Sequence, residues 1–383
     1  MDSQADARVE CDICQKPCSS KKDLEIHVRN HVKRLKHGRN PVEEKSVCFY
    51  LGANSFGQIS SLSSLVCWSP VLLTENLNSV ICNLSSVAWI DDQRQLQLCG
   101  FREGVGKIDL TVQIPQKIKF NSITYAFRSI CGITDDGIYG LSAKDEWEFI
   151  KNRALRRICD AKETIRRVAT CRNTVYCLTG KGQIFNLMEE DEMQVKIPGT
   201  VFSFDCGEEH CIAATEEKEV YSWGSSLKGQ LGRGTLQDEP LPERIPALGG
   251  LNIIQIACGK WHNVALTSEG DLYVWGWNKH GQLGLPCPDI KDLQTIESSV
   301  TVQAEPVLLD FQIGVRRIAC GSAHTLVLAD DSTVWGCGLS KFGQLGKQNC
   351  NEKEDKLVPI RLPEGKVSDI IASDWSSIFL FGK

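Results

Sequence analysis

Residues 257–286 read ACGKWHNVALTSEGDLYVWGWNKHGQLGLP, and this run decides the fold because its two halves return elsewhere in step. Cys258-Gly259-x-x-His262 recurs as Cys206-Gly207-x-x-His210 and as Cys320-Gly321-x-x-His324. Trp275-Gly276 to Gly281-Gln-Leu-Gly284 recurs as Trp223-Gly224 to Gly229-Gln-Leu-Gly232, and as Cys337-Gly338 to Gly343-Gln-Leu-Gly346. The cysteines are spaced by 52 and 62 residues, and so are the Gly-Gln glycines. Independent motifs would not keep such time, so the two blocks belong to one repeated unit.

Within the unit, an apolar stretch VALT, a turn SEG, a β-branched and aromatic stretch DLYVW and a glycine-punctuated loop read as strands separated by turns. The glycines mark turns or close chain approaches, and Trp before Gly marks packing between neighbouring units. A unit of about 50 residues buries too little alone, so copies must close into a ring. Fainter copies lie at Ala169–Leu187, at Ile133–Gly137 with Tyr139-Gly140, and at Val87–Ile90 with Cys99-Gly100. Tyr50-Leu-Gly52 begins a lone second block and Ile371–Phe379 a lone first block, so the two ends complete one unit and remove open sheet edges. Second-block anchors at 52, 100, 140, 187, 224, 276 and 338 predict an all-β, seven-bladed β-propeller over residues 46–383.

These motifs resemble those of the regulator of chromosome condensation family, strongly from 200 to 346 and faintly before. The resemblance implies a seven-bladed propeller in which Cys206, His210, Trp223, Gly224, Cys258, His262, Trp275, Gly276, Cys320, His324 and Gly338 are repeated structural positions. For the member most similar to 221–286 it implies a nuclear partner of a Jumonji-type 2-oxoglutarate oxygenase, linked to histone methylation and chromosome behaviour. For the founding member it implies nucleotide exchange on a Ran-like small GTPase.

A second pattern precedes the ring. Cys11-x2-Cys14, twelve residues, then His27-x3-His31 is the spacing of a Cys2His2 zinc module, two thiolates from a β-turn and two imidazoles one helical turn apart. Val9 and Leu24 fit its small core, while Cys18 stands where an aromatic is usual. The reading is a ββα zinc finger over 8–34 holding a structural Zn2+, then a basic linker over 35–45. Residues 21–40 hold seven bases against two acids, a balance of +5, in a chain whose net charge is −5, so the other residues sum to −10. The head is therefore the candidate for nucleic-acid or acidic-partner contact through Ser20, Lys21, Lys22, Asp23, Lys33 and Arg34. With Ser20, Asp23 and Ile26 facing the bases, no Arg or Asn is offered to a base edge, so sequence-specific DNA reading by one finger is not expected.

The remaining composition, 42% hydrophobic and 24% charged, is that of a soluble globular chain. The opening MDSQADARVE has no apolar run and no later stretch spans a membrane, which predicts neither export by that route nor membrane insertion; the location expected, nuclear and also cytoplasmic, is what the resemblance implies. The 18 cysteines are then metal ligands, nucleophiles or small buried hydrophobes rather than bridges. Repetition argues against catalysis by the Cys-Gly-x-x-His positions, because an active site is unique. No Gly-Lys-Ser/Thr follows the Gly-Gln-Leu-Gly loops, and no zinc-protease helix or nucleophile elbow is present. The expectation is a non-enzymatic interaction adaptor, with the exchange factor and a finger-led nucleic-acid binder as alternatives. Two interruptions of the repeat, Leu285–Pro306 and Lys151–Arg167, are either docking segments or passive solvated ones.

Overall fold

The computed structural model describes residues 9–10, 17–18, 47–55, 58, 66–74, 79–83, 85–91, 93–102, 106–126, 129–135, 137–142, 144–150, 158, 163–189, 194–288, 299–347 and 352–382. The chain divides into Met1–Glu44 and Lys45–Lys383. In the first unit Val9–Glu10 pairs antiparallel with Pro17–Cys18. Cys11, Cys14, His27 and His31, and the contact candidates Ser20 to Arg34, lie outside the described residues.

The described residues of the second unit form seven four-stranded antiparallel sheets. Blade 1 is assembled from both ends of the unit: Lys366–Ser373, Ser376–Gly382, Val47–Ala53 and Val66–Thr74, in that order across the sheet. Phe379 sits opposite Phe49 in the junction. Blades 2 and 3 run over 79–113 and 122–149, blade 4 over 165–195, and blade 5 over 201–244. Blade 6 comprises Ile253–Cys258, His262–Thr267, Leu272–Trp277 and Val302–Leu309; blade 7 comprises Val315–Cys320, His324–Ala329, Val334–Leu339 and Lys353–Pro359.

The apolar residues are not pooled in one core. Each of the seven buried clusters draws on two adjacent blades, as when Ile212 and Val220 of blade 5 meet Ile256, Ala265 and Trp275 of blade 6. The cluster around Tyr50 and Val80 joins blade 1 to blade 2 and closes the ring. A sheet packed on both faces buries every residue of its second strand, and His210–Thr215, His262–Thr267 and His324–Ala329 are buried throughout. That is why these strands read as unbroken apolar runs rather than alternating ones.

Two sequence readings are corrected by these strands. Val302–Leu309 is the outer strand of blade 6, so the interruption begun at Leu285 ends before Pro306; its residues 289–298 lie outside the described ones. Ile165–Cys171 is the inner strand of blade 4, so the end of the charged stretch 151–167 is part of the sheet rather than a free helix or loop. There Arg167 pairs with Asp205 at 2.7 Å beside the cavity of about 310 Å3 that the inner strands surround.

Candidate functional site: the relay between blades and the loop face

The repeated histidines lock blade to blade. His210 Nε2 lies 2.6 Å from Asn263 Oδ1, His262 Nε2 3.0 Å from Thr325 Oγ1, and His324 Nε2 3.1 Å from Ser377 Oγ. Each partner is the residue after the histidine position of the following blade, and each in turn donates backward. Asn263 Nδ2 donates to the Gln230 carbonyl (2.9 Å), Thr325 Oγ1 to that of Gln282 (2.7 Å) and Ser377 Oγ to that of Gln344 (2.8 Å). These glutamines belong to the Gly-Gln-Leu-Gly loops of the blade that supplied the histidine. One relay therefore runs from second strand, to neighbouring blade, and back to the loop. Trp275 Nε1 also donates to the Gln230 carbonyl at 3.0 Å, and Cys337, at the corresponding position, offers its thiol to the Gln282 carbonyl at 3.5 Å.

The imidazoles are fully buried, and burial pushes their pKa down to about 4 for His210 and about 3 for His262 and His324. They are neutral, with Nε2 carrying the proton where Asn263 Oδ1 accepts it. Their glycines follow from the same geometry: a Cβ at Gly259 would stand 2.1 Å from His262 Cε1 and 2.5 Å from the Gly321 carbonyl of the next blade. Gly276, at φ +103°, would place a Cβ 2.5 Å from the Trp261 carbonyl. Cys258 and Cys320 are set deep in the inner strands, where burial raises their thiols above the ordinary value. Neutral imidazoles and protonated thiols tied into packing supply neither a base nor a nucleophile. Among the described residues no group of three or more His, Cys, Asp or Glu is arranged to hold a metal ion.

The loops joining first to second strands and third to fourth strands emerge on one face, and there the repeat is broken by aromatic and basic residues. Trp261, inside the Cys-Gly-x-x-His loop of blade 6, meets Trp277 edge to face at 5.2 Å and 87°. Lys260 Nζ stands 5.0 Å from the Trp261 ring centre; Lys228 and Lys279 stand 5.4 and 5.9 Å from that of Trp277. His280 completes the group, its ring 5.6 Å from Trp277. Across the next seams, Phe342 of blade 7 stacks on Trp375 of blade 1 at 4.2 Å. Lys260 and Lys341 have acidic neighbours, Glu208 and Glu352, each at 3.5 Å. Among the described residues neither Lys228 nor Lys279 has a carboxylate within 4.0 Å. This aromatic and lysine cluster was not singled out by sequence reasoning. Its signal was present in the run KWHN and WGWNKHG, where tryptophans occupy variable positions of an otherwise fixed repeat.

Comparison with known proteins agrees with this architecture. Residues 218–266 and 269–328 match the regulator of chromosome condensation (RCC1) repeat, and a second RCC1-repeat description matches 203–230, 253–282 and 315–344. The ultraviolet-B receptor UVR8 of Arabidopsis thaliana is 38% identical over 157 residues, which cover 41% of this chain and 33% of that protein. Human RCC1 domain-containing protein 1 is 34% identical over 173 residues, covering 38% of this chain and 46% of that protein. The chain thus spans less than half the length of these curated relatives. Among solved structures, Prp20p of Saccharomyces cerevisiae superimposes with a TM-score of 0.73 at 16% identity, covering 92% of this chain and 94% of its own. Human WBSCR16 gives a TM-score of 0.69 at 16% identity, covering 88% of this chain and all of its own. Lys45–Lys383 is an RCC1-type seven-bladed β-propeller.

Proposed function

We propose that this RCC1-repeat propeller is a non-enzymatic adaptor that captures a partner protein on the loop face of blades 5, 6, 7 and 1. The observation that carries the reading is the Trp261–Trp277 pair with Lys228 and Lys279 beside it and, among the described residues, no carboxylate within 4.0 Å of either lysine. Half-buried tryptophans supply rigid contact area at low conformational cost, and lysines over their rings select acidic groups on the incoming surface. The similarity to human RCC1 domain-containing protein 1 makes a nuclear Jumonji-type 2-oxoglutarate oxygenase, and with it histone methylation and chromosome segregation, the first partner to test. In the same proposal the head, Cys11, Cys14, His27 and His31, holds one structural Zn2+ and adds a second anchor to chromatin, RNA or protein.

The test is affinity capture from nuclear extract with the intact chain, with residues 1–45 removed, and with Trp277→Ala plus Lys228→Glu. The adaptor reading expects the oxygenase with the first two proteins and its loss, by tenfold or more, with the third. Retention by the face variant together with loss on removing the head would overturn the assignment to the ring. Prp20p, whose binding to Gsp1p and histones has been described, shares only the fold at this identity. Catalysed nucleotide release from a Ran-like GTPase would replace the adaptor reading with an exchange factor.

A further inference from the structure

Blade 5 puts two thiols on one rung of its sheet. Cys206, the last residue of Val201–Cys206, faces Cys211 of His210–Thr215 in the antiparallel register, and their sulfurs lie 3.2 Å apart in a thiol–thiol hydrogen bond. The same rung carries Cys258 opposite Asn263 in blade 6, Cys320 opposite Thr325 in blade 7 and Ala372 opposite Ser377 in blade 1. Those three polar partners each receive a histidine from the preceding blade. Blade 4 has Thr174 where that histidine would stand, so the receiving position of blade 5 is released from the relay and holds a second cysteine.

The backbone suits a bond across this rung. On the next rung outward the Gly207 N–H donates to the His210 carbonyl at 2.9 Å, which makes Cys206 and Cys211 a non-hydrogen-bonded pair. Such pairs hold their Cα atoms about 4.5 Å apart, within the span of about 4.4–6.8 Å that a disulfide bridges. The sulfurs then have to close from 3.2 Å to about 2.05 Å, which rotation of the two side chains supplies. Access is one-sided. Cys206 is half-buried and lines the cavity of about 310 Å3 inside the ring, beside Asp205 and Arg167, whereas Cys211 is 1% exposed. Cys258 and Cys320, at the same strand position, do not line that cavity.

We propose that Cys206 and Cys211 form a redox modification site, which a small organic disulfide entering the cavity closes to a cross-strand disulfide and small thiols reopen. The Cys206 thiolate attacks one sulfur of the reagent; a mixed S–S bond forms, the reagent's own S–S bond breaks, and the released thiolate takes up the proton that Cys206 gave up. Cys211 sulfur then attacks Cys206 sulfur; the protein S–S bond forms, the mixed bond breaks, and the second small thiolate leaves with the Cys211 proton. The two cysteines lose two electrons and two protons, and the reagent is reduced to two thiols. Burial raises the Cys206 thiol above its ordinary value, with the hydrogen bond from Cys211 working against it, so exchange at neutral pH is slow and the site responds to the standing ratio of disulfide to thiol rather than to a brief pulse. The bond pins the loop Gly207–His210, whose Glu208 N–H donates to the Lys260 carbonyl at 3.1 Å on the loop face.

Equilibration of the full chain in mixtures of 2-hydroxyethyl disulfide and 2-mercaptoethanol, followed by acid quench, alkylation in denaturant and tryptic mapping, tests the assignment. Cleavage after Lys196 and Lys218 puts both cysteines in peptide 197–218, and cleavage after Arg244 and Lys260 puts Cys258 alone in 245–260 as the single-thiol control. The expected product is peptide 197–218 lighter by two hydrogens and free of alkyl groups, with 245–260 still alkylated. Half-closure in the folded chain is expected at a disulfide-to-thiol ratio at least tenfold lower than in the same chain unfolded by urea, because the fold holds the sulfurs together. Cys211→Ser is expected to stop at a mercaptoethanol adduct on Cys206, and Cys206→Ser to leave Cys211 alkylated. Equal ratios for the folded and unfolded chains, or bridges from either cysteine to another peptide at the same ratio, would overturn the proposal. So would a folded wild type in which 197–218 keeps both alkyl groups while 245–260 gains the adduct.

Discussion

Acid should unfold this ring through its buried histidines, and the size of the effect is set by three pKa values. A free histidine titrates near 6.5, whereas His210 is pushed down to about 4 and His262 and His324 to about 3. Between those limits the unfolded chain binds protons that the native relay refuses, so stability is fully present above pH 6.5 and is lost as the pH falls toward the folded values. At pH 5 each histidine has withdrawn about 1.5 pH units' worth of free energy, or about 2 kcal/mol, and the three together about 6 kcal/mol. That is comparable with the whole stability of many domains. Urea unfolding of the wild type and of His262→Gln at pH 7.5 and pH 5.0 isolates one histidine, since the carboxylates are common to both proteins. At pH 7.5 the variant should be less stable by about 2 kcal/mol, having lost a buried hydrogen bond and its fitted ring. By pH 5.0 the wild type has lost a term the variant does not possess, so the two curves should converge. Parallel stability profiles, with the same gap at both pH values, would refute a neutral buried His262.

Three further outcomes follow from the same geometry. Asn263→Ala strands the buried His210 Nε2 and removes one of the two donors to the Gln230 carbonyl, which keeps Trp275 Nε1, and should lower stability by about 2 kcal/mol in chemical unfolding, whereas Asn252→Ala, an exposed partner of Ser268, should change it by less than about 0.5 kcal/mol. Gly259→Ala must displace the His262 ring and the Gly321 carbonyl and should cost more than about 3 kcal/mol, while Gly250→Ala, at φ +79° with open space around it, should cost only about 1 kcal/mol of backbone strain; melting temperatures rank the two. Deleting residues 376–383 removes the strand that pairs with Val47–Gly52 and leaves blades 1 and 7 without a lock at His324, so soluble expression should collapse rather than yield a stable six-bladed ring.

Why the second half of the ring was legible, and the first half faint, has a physical cause in that relay. From residue 200 onward a histidine requires a glycine three residues before it, a small polar acceptor in the next blade and a glutamine loop behind it, so four positions are fixed by one another and recur as a motif. Blade 2 closes its seam differently, with Ser86 Oγ 2.6 Å from Tyr125 of blade 3, and blade 4 offers the Cys171 thiol to the Glu208 carbonyl of blade 5 at 3.7 Å. Once the imidazole is gone, its dependent glycine and acceptor are free to vary, and only the period of strands and turns is left to read. The blade count survives because Gly52 and Gly100, at φ +132° and +126°, still make the close approach that Gly224, Gly276 and Gly338 make in the regular blades. The loop face was illegible for the opposite reason. Trp261, Trp277 and Trp375 occupy positions the repeat leaves unconstrained, so periodicity could not reveal them; only the ring's closure brings Lys228 of one blade over the tryptophan of the next.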